Sequence, residues 1–106
     1  MTLQDEEGPI DAEIARLLTE AIPESWASAV LDVEFVEQLD GTHGFVHRIT
    51  SPQRYRDLVS PPDELYELTL RLFDLFSRAG RPWRKVRYGV SAAQDGAWDY
   101  RVHFEY

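Results

Sequence analysis

A chain of 106 residues, 43% of them hydrophobic, is long enough for one domain with its own core, so no second domain is needed. With no cysteine it can form neither disulfides nor thiolate zinc sites, a usage that fits a reducing compartment and makes the cytoplasm the expected location. A formal net charge of −8 repels phosphate backbones and so disfavours direct nucleic-acid binding.

The opening residues MTLQDEEGPI are acidic and polar, without the basic-then-apolar pattern of a signal peptide, and read as a loose lead-in over residues 1–9. No apolar run approaches the roughly 18 residues that a membrane span requires. Residues 10–22, IDAEIARLLTEAI, place Ile10, Ile14, Leu17, Leu18, Ala21 and Ile22 at helical spacing, with Asp11 and Glu13 near the positive end of the helix dipole. Pro23 stops this helix. Residues 29–38, AVLDVEFVEQ, then alternate, with Leu31, Val33 and Phe35 on one side and Asp32 and Glu34 on the other, as a half-buried strand does. LDGT is a turn signal, and GFVHRIT returns as a second strand to make a hairpin.

Residues 51–62 carry three prolines and read as a loop, ending with Ser60 as N-cap, Pro61 at the first helical position and Asp63 completing a capping-box pattern. The segment DELYELTLRLFDLFSRA sets Leu65, Leu68, Leu72, Phe73, Leu75, Phe76 and Ala79 on a broad apolar stripe that Gly80 and Pro82 terminate. WRKVRYGVS and GAWDYRVHFEY form a second hairpin around AAQDG. In the last strand Trp98, Tyr100, Val102, Phe104 and Tyr106 alternate with Asp99, Arg101, His103 and Glu105, so one face is the floor of the core and the other looks to solvent. The order α-β-β-α-β-β predicts an α+β domain: a four-stranded antiparallel sheet with two helices packed on one face.

The residue types that carry chemistry are not arranged for it. His43 and His47 are four apart on a strand, about 13 Å at the rise per residue, too far for one metal ion, and His47 meets His103 only across paired strands. The HEXXH, phosphate-loop and dinucleotide signatures are absent, and no serine sits in a nucleophile elbow. No catalytic residue, metal, cofactor or small-molecule substrate is therefore expected. Base stacking on the sheet, with Arg48, Arg84, Arg87 and Arg101 as the cationic partners, competes with the use of the aromatics as core.

A helix running into IPESW, a hairpin, the acidic leucine-rich helix PDELYELTLRLFDLF, a Trp opening a strand and the closing DGAWDYRVHFEY follow one another in an order and spacing that resembles the YezG-like family of antitoxin and immunity proteins, across roughly residues 10–106. The resemblance implies a cytoplasmic protein that neutralises a polymorphic toxin delivered between bacteria, commonly one with a nuclease domain, by stoichiometric binding. The matching residues Trp26, Trp83, Gly96, Trp98, Glu105 and Tyr106 read as determinants of the fold and leave the interface open.

For the interface the sequence offers electrostatics. Asp32, Glu34, Glu37 and Asp40 on the first hairpin are expected to form an acidic ridge toward basic residues of the toxin, or else a solvated strand. Tyr55, between Arg54 and Arg56 in the loop from Gln53 to Leu58, is a second candidate, because Tyr and Arg are favoured interface anchors. Two other classes remain open: a protein-interaction domain without a toxin partner, and a sheet-surface nucleic-acid binder.

Overall fold

Helix α1 runs from Leu3 to Ala21 in the computed structural model, which describes residues 3–23, 25–37, 39–51 and 59–106. The helix thus starts seven residues before the expected Ile10, and most of the expected loose lead-in is helical. The reason is that its apolar spacing continues backwards: Leu3 packs against the core and Glu7 lies half-buried one turn before Asp11. Pro9 falls inside the helix, where it brings no N–H to the ladder. Ile10, Ile14, Leu17 and Leu18 are buried as the periodicity requires, and so are Ala15 and Asp11.

Strands β1 (Ser28–Glu37) and β2 (His43–Thr50) form the first hairpin, α2 (Asp63–Arg78) follows, and β3 (Lys85–Ala92) and β4 (Trp98–Glu105) form the second. All pairings are antiparallel, in the order β2-β1-β3-β4, so the two hairpins join through their first strands and β2 and β4 are the edges. The expected two-helix, four-stranded α+β architecture is the observed one.

The second helix begins at Asp63 with Pro62 as its N-cap in an extended conformation, and no side chain caps it. Ser60 and Pro61 stay outside. A residue followed by proline is driven out of the helical region, so Pro61 cannot open a helix while Pro62 follows it. At the other end the expected stop holds. Gly80, at φ 77°, donates to Ser77 O at 3.0 Å, and Arg81 donates to Phe76 O at 2.9 Å, the paired bonds of a Schellman close.

Register sorts the strand residues into two layers. Toward the helices the central pairs are Leu31 with Tyr88, Val33 with Val86 and Ala29 with Val90, every one of them nearly inaccessible. Leu18, Leu65 and Leu72 close over them from the helices with 0% exposure. Phe35, Phe45, Phe73 and Trp83 pack ring against ring at one end, with Phe35 stacked on Phe73 at 4.7 Å. The last strand serves as core floor only in part. Trp98, Val102 and Phe104 are half-buried, but Tyr100 and Tyr106 are 42% and 54% exposed, because two helices cover the two central strands and reach the edge only incompletely.

Two glycines separate conformational need from space. Gly80 requires a left-handed backbone, whereas Gly89 lies in a strand with nothing within 4 Å of where a Cβ would stand. Gly80→Ala is expected to lower unfolding free energy by about 1–2 kcal/mol, the cost of that backbone conformation for an L residue. Gly89→Ala should leave it unchanged or raise it slightly in the same denaturation experiment.

Candidate functional site

Among the described residues nothing covers the face of the sheet away from the helices, and its outward residues form rows across all four strands. One row reads Arg48, Asp32, Arg87, His103; the next reads Val46, Glu34, Lys85, Glu105. Acids and bases therefore alternate across the strands, as opposite-charge cross-strand pairs prefer. Arg87 Nε donates to Asp32 Oδ1 at 2.7 Å, and this bond raises the affinity of the guanidinium for its proton. A third row, Val30, Gly89 and Arg101, lacks a side chain at its middle position and leaves a shallow hollow that Ser28, Ser91 and Asp99 also line.

The expected acidic ridge is not one surface. Asp32 and Glu34 share the open face, each flanked by basic residues of the neighbouring strands. Glu37 has the parity of Leu31 and Phe35, so it points to the helix side, 3.6 Å from His43 Nε2. Asp40 lies in the hairpin turn and accepts from the Thr42 amide at 3.0 Å and the Thr42 hydroxyl at 2.7 Å, bonds that hold its carboxyl below the usual range. Tyr55 and the loop around it lie outside the described residues. Lys85 and Arg87 alternate with Val86 and Tyr88 in the sequence, but their position beside Glu34 and Asp32 depends on register.

Negative charge gathers on the other layer. Helix α1 carries six acids against one base and α2 four against two, while the four strands carry five acids against four bases. On α1 the guanidinium of Arg16 is held between Glu13 and Glu20, which partly offsets that acidity on the exposed side.

Between the layers Asp11 is 6% exposed and accepts a 2.6 Å hydrogen bond from the Tyr88 hydroxyl on the central strand β3. Burial, with help from a hydrogen bond to Glu7 and the charge there, pushes the Asp11 carboxyl up to about 8. The same burial, beside Asp11, pushes the Tyr88 hydroxyl far above its ordinary 10. Asp11 is thus a core residue near the middle of a helix that starts early, and has no part in capping its positive end.

The nearest thing to a nucleophile and base is Thr69 Oγ1, 2.9 Å from His47 Nε2. The Thr69 proton goes to Leu65 O at 2.8 Å and the residue is 1% exposed, so no substrate can reach it. His47 points to the helix side of edge strand β2 and His103 to the open side of edge strand β4, so they do not approach. Among the described residues no three His, Asp or Glu side chains gather to hold a metal. The open sheet face is a surface of alternating charge with one shallow hollow.

The folded state holds the Asp11 proton to about 8 while the unfolded chain releases it near 3.8, so between those values folding binds a proton and stability falls as pH rises. His47, kept neutral by burial, works in the opposite sense below its ordinary 6.5. Asp11→Asn keeps an acceptor for Tyr88 and removes the titration. Urea unfolding across this range should show the variant gaining stability relative to the parent as pH rises; parallel curves would place the Asp11 proton elsewhere. Compared with models of known protein families and with curated proteins, the chain finds no match.

Proposed function

We propose that this protein is a cytoplasmic immunity protein, or antitoxin, that binds a cognate polymorphic toxin domain and blocks it by stoichiometric occlusion. The observation that carries this reading is the ordered set IPESW, PDELYELTLRLFDLF and DGAWDYRVHFEY, which resembles the YezG-like family. The partner is a toxin domain with a basic surface, such as the substrate groove of a nuclease. Two features of the chain support that chemistry. The net charge of −8 steers a basic partner inward, and most of it sits on the helix layer, which sets the long-range attraction. The open sheet face offers Asp32 and Glu34 within a lattice of bases, a pattern that a complementary surface can read one residue at a time.

A protein-interaction domain without a toxin partner is the second reading, favoured by the same uncovered face. Direct nucleic-acid binding fits less well, because Asp32, Glu34 and Glu105 interleave with the bases of that face while the large aromatics of the strands turn to the helix side.

Co-expression in bacteria with the toxin domain encoded nearest to it should restore growth and yield a stable one-to-one complex on pull-down. Toxicity that persists with every neighbouring toxin domain, while the protein is folded, would favour the second reading. Glu34 is exposed, so Glu34→Lys should leave the fold intact. In the complex this reversal is expected to weaken binding about tenfold, or about 1.4 kcal/mol, with slower association at low salt. An unchanged dissociation constant would move the interface off the sheet face.

A further inference from the structure

The edge strand β4 has a free side whose chemistry matches itself. Glu105 O accepts from the Arg84 amide and Ala97 O from the Ala93 amide, both at 2.7 Å, so the odd-numbered residues of β4 turn their backbone groups toward β3. The even-numbered residues, Trp98, Tyr100, Val102 and Phe104, turn theirs away from it, and among the described residues the strand order places no strand beside them. Edge strands are ordinarily blunted by proline, by bulges or by polar groups pointing inward. Strand β2 has His43 and His47 on its inward side; β4 pairs with β3 over eight unbroken positions, contains no proline, and points only Trp, Tyr, Val and Phe inward.

We propose that a second copy of this chain docks along β4, antiparallel, about a twofold axis at His103, so that the two sheets become one continuous sheet. A twofold normal to the sheet keeps each residue on its own face and opposes even-numbered residues to even-numbered ones, as their outward backbone groups require. With the axis at His103, Arg101 stands opposite the second copy's Glu105 and Glu105 opposite its Arg101. On the helix side Val102 meets Phe104, and Tyr100 meets Tyr106, which covers two exposed aromatic residues. An axis at Val102 would set Asp99 against Glu105, and one at Arg101 would set that cation against itself. An axis at Tyr100 pairs Asp99 with Arg101 and leaves Tyr106 bare. Charge and apolar cover together select His103.

The test needs no toxin and is independent of the proposed function. Sedimentation of the full chain from micromolar to submillimolar concentration should show a reversible dimer. Arg101 faces Gly89 on β3, so reversing its charge removes no cross-strand side-chain contact within one copy. Arg101→Glu should weaken the dimer at least about tenfold, with an unchanged melting temperature at concentrations where both proteins are monomeric, and adding Glu105→Arg should restore it. A monomer throughout the range, a dimer that Arg101→Glu leaves intact, or one that the charge exchange does not restore would overturn the proposal.

Discussion

The hydrogen bond from Tyr88 to Asp11 fixes where the first helix lies on the sheet. Burying a carboxyl costs several kcal/mol unless it is neutral and bonded, and this one is satisfied only when α1 crosses β3 at the level of Tyr88. Hydrophobic contacts alone would tolerate sliding, since Ile14 and Leu18 can pack over any of several valines and leucines. The polar pair supplies the position and the apolar residues around it supply the adhesion. Strands β1 and β3 are buried as a result, and β4 is left at the margin with its aromatic side chains half-covered.

Because both helices occupy one face, the other face must be soluble on its own, and it achieves this by alternating charge across the strands. Asp32 between Arg48 and Arg87, and Glu34 beside Lys85, neutralise one another locally, so the open face carries little net charge while the helix layer carries most of the chain's excess. The two sides of the molecule therefore differ in charge, one in sum and the other only in pattern. In the proposed complex, a partner drawn by the helices and seated on the sheet would be oriented by individual pairs, which favours discrimination over raw affinity.

Much of the fold was legible because period and punctuation agreed. The alternation of Leu31, Val33 and Phe35, the stripe of α2 and the Gly80 stop each had a local cause that tertiary packing left in place. Where the reading failed, the deciding interaction was nonlocal or a rule of backbone sterics prevailed. The helix start depended on Leu3 finding the core, the burial of Asp11 on a tyrosine 77 positions away, and the start of α2 on the constraint that Pro62 puts on Pro61. The candidate surface was legible only in part for the same reason. Side of the sheet follows from parity, which placed Asp32 and Glu34 correctly and would have separated Glu37, but neighbours follow from register, which no single strand contains.

Pro9 gives α1 a seam. Without an amide hydrogen there, the turns from Leu3 to Gly8 are tied to the rest of the helix by one fewer ladder bond. Glu7 belongs to those turns and Asp11 lies just beyond them. Glu7, whose hydrogen bond and charge help to raise the Asp11 carboxyl, therefore stands on one side of the proline and the carboxyl it raises on the other. The buried acid and the acid that keeps it protonated are thus joined across a missing rung of one helix.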